Sequence, residues 1–456
     1  MIVVIIKNCL YNGLLIMKMR DLQGFYLFYI MEVLLASIFI LGYLLITLEN
    51  RVNINKAATA ILTGVGCWSV YIFLENEPDI INAELSHHLS GIAEILLFLL
   101  AAMTIVELID AHDGFKLITD KIKTDNKTKL LYIICITAFF LSAILDNLTA
   151  TIVMVSVVRK LMADNKDRML VAGMIIIAAN AGGAWSPMGD VTTTMLWVKH
   201  QISASQIILQ LFLPSLVCLA IPLFIMGTRF KGKLIRPNII EQESTDVTTI
   251  RERQIVLFSG IGLLLFVPFF KNITHLPPYM GMLAALGILW IITEILHKQK
   301  NDEDKNFLTV TYAIRKIDTP SILFFFGILA TVACLESTGM LQHLSFWLDQ
   351  KLGNTDLIVL ATGFLSAIVD NVPLVAAAQG MYDLSVYPTD SYIWEFIAYS
   401  AGTGGSILVI GSAAGVAAMG LEKIDFVWYL RNISWLALIG FLAGAGVYIL
   451  EHMFIF

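Results

Sequence analysis

Two short stretches pose the chemical question. Phe140–Asn147 reads FLSAILDN and Phe364–Asn371 reads FLSAIVDN, so each sets an Asp-Asn pair inside an apolar run. An ionised Asp at the centre of a membrane helix costs about 2.5–3.5 kcal/mol. Asp146, Asp370 and a third acid, Asp190, would together cost ~8–10 kcal/mol without a compensating partner. A monovalent cation held by oxygen ligands offsets that cost, and so does a proton. A carboxylate that must hold one or the other couples the two by competition. Ser142 and Ser366 lie one turn ahead of Asp146 and Asp370, which puts hydroxyl and carboxylate on one helix face. Asn147 and Asn371 add amide oxygens. Thr149 and Thr151 follow in the first copy, where the second has Pro373 and Val375.

A second motif follows each copy. In NAGGAWSPMGDVTTT (180–194), Gly182, Gly183, Pro187 and Gly189 should interrupt the helical ladder. The freed carbonyls can then ligate a cation beside Asn180, Asp190, Thr192 and Thr193. The matching SAGTGGSILVIGS (400–412) offers Thr403, Ser406 and Ser412, with no carboxylate where the first copy has Asp190. The halves are therefore chemically unequal, and the first is the stronger cation site. The expected Na⁺ ligands are Asp146, Asn147, Asp190, Asp370 and Asn371.

Each residue has a plainer reading. Asp146, Asp370 and Asp190 can all serve as helix N-caps, and the threonines after Asp190 can satisfy carbonyls of the preceding turn. Glu94 stands in an apolar span with nothing nearby to pair it, which suggests a proton relay. His87, His88 and His112 fall in loops and receive no role. The five cysteines show no metal-binding spacing, and no cofactor is expected.

These residues need elements to position them, and the composition says which kind. Of 456 residues, 57% are hydrophobic and 14% charged, against roughly 45–50% and about 25% in soluble chains. The expectation is an all-α polytopic membrane protein. A net charge of −6 without a basic stripe excludes a nucleic-acid partner. Ten apolar stretches read as crossings or broken crossings, namely 33–48, 57–74, 89–108, 170–198, 207–226, 255–270, 279–296, 321–335, 392–419 and 433–450. Stretches 130–162 and 356–387 carry the Asp-Asn pairs at their centres, and each half is short for a span. They read as re-entrant hairpins, since polar backbone at that depth must be buried in protein or line a cavity.

Charge in the connections supports that layout. Of the 30 Lys and Arg, 24 fall in one alternate set of connections and 3 in the other, the asymmetry expected of cytoplasmic and external loops. Five crossings between the hairpins make the second copy inverted relative to the first. The expected architecture is thus an inverted-topology repeat with two re-entrant hairpins and two broken helices, a pattern of secondary transporters. The division is 1–30 as an N-terminal extension or extra span, 31–230 as the first repeat, 231–254 as a cytoplasmic linker and 255–456 as the second repeat.

A membrane protease is the different-class reading. Met188-Gly189-Asp190 and Tyr382-Asp383 only faintly suit an aspartyl dyad, and HExxH and GxSxG are absent. The chain is therefore not expected to be an enzyme. An organic-acid carrier would be expected to turn Lys, Arg or a bare half-helix N-terminus toward its substrate, whereas no Lys or Arg lies inside a core span by this reading.

At these residues the chain resembles the NhaD-type sodium/proton antiporters of the ion transporter superfamily. The resemblance rests on Ser142, Asp146, Asn147, Thr149 and Thr151, on Asn180 through Thr193, on Ser366, Asp370 and Asn371, and on Thr403 and Ser406. It covers the chain from about residue 30 onward. It implies exchange of cytoplasmic Na⁺ and Li⁺ for external H⁺ in a bacterial plasma membrane. More distant relatives in the superfamily carry dicarboxylates, citrate or arsenite and often move as homodimers, so those cargoes and that assembly are the alternatives.

Overall fold

A computed structural model describes residues 19–47, 54–75, 77–119, 122, 124–236, 248–301, 305–368 and 370–454. Residues 1–18 and, within the 231–254 linker, 237–247 lie outside it. The described residues are almost wholly helical. In chain order the helices are α1 Met19–Thr47, α2 Lys56–Glu75, α3 Pro78–Ala111, α4 Lys116–Thr119, α5 Lys127–Ser142, α6 Asn147–Leu161, α7 Asn165–Ala184, α8 Val191–Val198, α9 Ala204–Arg229 and α10 Ile250–Thr274. They continue as α11 Pro278–Leu296, α12 Val310–Lys316, α13 Thr319–Ser337, α14 Met340–Leu352, α15 Thr355–Ser366, α16 Asn371–Met381, α17 Tyr392–Gly404, α18 Ala413–Glu422, α19 Phe426–Asn432 and α20 Ser434–Phe454.

Eight described helices are long and apolar enough to cross a membrane. Large apolar side chains such as Leu62, Phe73, Phe224, Phe258 and Ile291 stand exposed on them, as a lipid-facing surface requires. The protein is a multi-pass membrane protein.

Both Asp-Asn stretches form a helix, a short turn and a returning helix, α5–α6 and α15–α16. Both long segments behind them are broken, α7 from α8 and α17 from α18. The repeat is one of contacts as well as letters. Ser142 Oγ donates to the Ala179 carbonyl at 2.6 Å, and Ser366 Oγ to the Ala401 carbonyl at 2.7 Å. A β-carbon on Gly182 would lie 2.1 Å from the Phe139 carbonyl oxygen, and one on Gly404 would lie 2.3 Å from that of Gly363. Glycine at these two positions lets the hairpin's first arm rest on the backbone of the broken helix.

The breaks have local causes. Asp190 accepts from the Thr192 N–H and closes a capping box with Thr193, which starts α8 after the Pro187–Gly189 interruption. Ser412 accepts from the Gly415 N–H and starts α18. Thr249 and Glu252 form another capping box at the head of α10, so the helix begins inside the stretch assigned to the linker.

Some sequence expectations need correction. α3 begins at Pro78, whose fixed φ suits a first helical position, so His87 and His88 are helical rather than in a loop. His112 caps the end of α3 and is fully buried. Its Nε2 lies 2.8 Å from His297 Nε2, and its Nδ1 lies 2.6 Å from the Leu108 carbonyl oxygen. The short helices α12 and α14 fall in stretches read as loops.

Candidate functional site

The described residues place one carboxylate, Asp190, where both hairpin tips and both helix breaks meet. Asp190 is 2% exposed. Its Oδ2 accepts from Asn147 Nδ2 at 2.7 Å and from Asn371 Nδ2 at 3.1 Å. Its Oδ1 accepts from the Thr192 N–H at 3.1 Å. Asn147 is the first residue of α6 and Asn371 the first of α16, so each returning hairpin helix begins by reaching toward the same acid.

Asn180 extends this network to the second break. Its Oδ1 accepts from Asn147 Nδ2 at 3.0 Å, and its Nδ2 lies 2.9 Å from both Ser406 Oγ and Ser412 Oγ. Among the described residues no Lys, Arg or His pairs with Asp190. The acid is surrounded by neutral amides and hydroxyls, a setting that can accept a proton or a small cation without first displacing a resident charge.

The three acids expected to share the site do not form one carboxylate cluster among the described residues. Asp146 turns back onto its own helix, accepting from the Thr149 N–H and the Thr149 hydroxyl at 2.8 Å each. Its φ of 138° is unusual for a residue with a side chain, a backbone strain of order 1–3 kcal/mol that surrounding contacts must hold. Asp370 accepts from the Val372 N–H at 3.4 Å and pairs with Lys56 Nζ at 3.5 Å. The physical reason is the same twice: an Asp at the N-cap bonds to the free N–H groups of the helix it starts, leaving the following Asn to point across. Asp190 caps α8 too, but its two oxygens accept both from the head of α8 and from the two hairpin tips.

The remaining residues divide. Thr151, one turn beyond Asn147, is buried with no hydrogen-bond partner for its hydroxyl among the described residues. Thr192 and Thr193 serve Asp190 through the capping box. Ser142 and Ser366 tie hairpins to broken helices, and Thr403 Oγ1 donates to the Tyr399 carbonyl at 2.6 Å. Glu94, on α3, makes no hydrogen bond or ion pair among the described residues.

Three features escaped the sequence reading. Lys56, one residue ahead of the 57–74 stretch, opens α2 and meets Asp370. Glu395, on the first turn of α17, is 1% exposed and accepts from Tyr448 Oη at 3.2 Å. Its signal was available, as a lone acid within an apolar span. Glu422, 3% exposed, pairs with Arg159 at 3.3 Å and Arg168 at 3.0 Å. Nothing local in the sequence marks that pairing.

Fold and site together describe a polytopic membrane protein with one buried acid between two helix breaks. The family model described as citrate transporter matches residues 25–396. The chain is 48% identical over 427 residues to sodium/proton antiporter 1 of Arabidopsis thaliana, covering 92% of this chain and 73% of the relative. It is 45% identical to sodium/proton antiporter 2 of the same plant, covering 92% and 100%. It is 33% identical to the Na(+)/H(+) antiporter NhaD of Vibrio cholerae, covering 91% and 90%. The chain belongs to the NhaD-type sodium/proton antiporters, within the wider citrate-transporter family.

Proposed function

We propose that this protein exchanges cytoplasmic Na⁺, and Li⁺, for external H⁺ by competition at Asp190. The observation that carries the reading is a buried carboxylate bonded to neutral amides from both hairpin tips and free of any paired cation among the described residues. Protonation removes the charge, and Na⁺ neutralises it while taking oxygen ligands. The two occupants exclude each other because both answer the same desolvation cost. Asn180, joined to the acid through Asn147, and its partners Ser406 and Ser412 supply further oxygens. Asp146 and Asp370 flank this centre, and Glu94 is retained as a proton relay.

Two inverted repeats, 31–230 and 255–456, carrying re-entrant hairpins and joined by a cytoplasmic linker, would let the centre open to either side in turn. We place the protein in a bacterial plasma membrane, although the relatives at 48% and 45% identity are plant proteins, and we take a homodimer as its assembly. The second reading is an organic-acid carrier, favoured by the name of the matching family model.

Everted vesicles with an imposed pH gradient test these readings. Na⁺ and Li⁺ should collapse the gradient in wild type, while citrate and arsenite should not. Asp190→Asn should remove the Na⁺ response with the protein still in the membrane. A full Na⁺ response from Asp190→Asn, or a response to citrate alone, defeats the proposal.

A further inference from the structure

We propose that Lys56 is a built-in competitor for the second hairpin's carboxylate, its ammonium occupying Asp370 until a transported monovalent cation displaces it. The inference rests on the sodium/proton reading above. The three intramembrane acids are compensated in different ways. Asp146 is held by an amide and a hydroxyl of its own helix, and Asp190 by neutral groups from several elements. Among the described residues, only Asp370 of the three is met by a formal positive charge.

That charge is held from two sides. Lys56 Nζ lies 3.5 Å from Asp370 Oδ2 and 4.5 Å from the ring centroid of Phe324 on α13. The Lys56 and Asp370 side chains retain only 23% and 15% exposure, so the contact is largely withdrawn from solvent. α2, α13 and the second hairpin have thus built a cation site, already filled by the chain's own cation. A Na⁺ and an ammonium cannot both be neutralised by one carboxylate, so entry of one weakens the other. The separation exceeds the roughly 2.7–2.9 Å of a tight charge-assisted bond. The aromatic face also gives the displaced ammonium a place to rest. Lys56 is in this sense a positioning residue that acts through Asp370.

The test measures the half-saturating Na⁺ concentration for gradient collapse in wild type, Lys56→Gln, Lys56→Arg, Asp370→Asn and the Lys56→Gln/Asp370→Asn double variant. Lys56→Gln should lower it at least threefold, Lys56→Arg should keep it near wild type, and Lys56→Gln should add nothing once Asp370 is Asn. No shift in Lys56→Gln, or an equal shift in both backgrounds, overturns the proposal. If Lys56→Gln reduces folded protein, the charge-swapped Lys56→Asp/Asp370→Lys variant decides. A swap with wild-type half-saturation means that the pair only holds the fold, and the proposal fails; a swap that folds but keeps an altered half-saturation supports it. A wild type with no Na⁺ response overturns the exchange reading first and this one with it, a result distinct from any of the variant outcomes.

Discussion

Asn147 and Asn371, one from each copy of the repeat, donate to the same oxygen, Asp190 Oδ2, at 2.7 and 3.1 Å. Two hairpins far apart in the chain are therefore registered on a single acid. Any shift of one tip relative to the other must change the environment of that acid.

Removing either amide should weaken cation binding without removing the carboxylate. A hydrogen bond to a charged group contributes about 1.5–3 kcal/mol. Asn147→Ala and Asn371→Ala should each raise half-saturating Na⁺ roughly 10- to 100-fold. Titrating Na⁺ against gradient collapse in vesicles checks this, and an unchanged value for both would remove the tips from the site.

Asp190→Asn separates the proposed ion binding from the capping of α8. Asn is about as good an N-cap as Asp, so α8 should still start at Val191 and the melting temperature of detergent-solubilised protein should change little. Exchange should fall to background. A large loss of melting temperature with exchange retained would mean that Asp190 works as a cap alone.

The pairing of Glu422 with Arg159 and Arg168 carries a stability prediction. Glu422 is 3% exposed, and removing it leaves Arg168, itself 20% exposed, without its acid partner. Breaking a buried pair costs about 3–5 kcal/mol, and the half-exposed Arg159 lowers the expectation toward about 3 kcal/mol. Glu422→Ala should show a clear drop in melting temperature. A drop no larger than that of a surface substitution would contradict this.

The histidine pair at the ends of α3 and α11 predicts a pH dependence. Burial, and then the neighbouring His112 charge, push His297 down to about 4, and burial also lowers His112. Glu252 and Asp113 oppose these shifts, while Lys300 acts with them and Lys305 adds to that on His297. Both folded-state values lie below the unfolded one near 6.5, so the unfolded chain binds more protons in that window and stability rises with pH. The contribution is complete above about 6.5 and is lost as pH falls toward about 4. Melting temperature should fall between pH 6.5 and 5 in wild type, with a shallower fall in His297→Phe. Identical slopes would exclude the pair.

Much of the site was legible because it obeys local rules. The Asp-Asn pairs, the glycine-proline interruption before Asp190 and the amide at Asn180 violate the chemistry of hydrocarbon, and such violations stand out in a hydropathy reading. What stayed hidden was pairing. Nothing in one sequence says that Asp146 would bend onto Thr149 while Asn147 crossed to Asp190, because both choices satisfy the same helix start. Lys56 escaped because a charge at the head of a span reads as loop, and its partner comes from the opposite half. His112 escaped because the apolar signal fades before α3 ends, although the helix carries the imidazole into the interior.

The bare contact of Gly182 with the Phe139 carbonyl, and of Gly404 with that of Gly363, limits how this chain can vary. A saturation library selected for growth under salt stress should return both positions depleted of every other amino acid, alanine included, since even one methyl group would wedge the arms apart. Lipid-facing positions such as Leu62 should accept almost any apolar replacement. Tolerance would then outline the joint between hairpin and broken helix, without reference to the ion it serves.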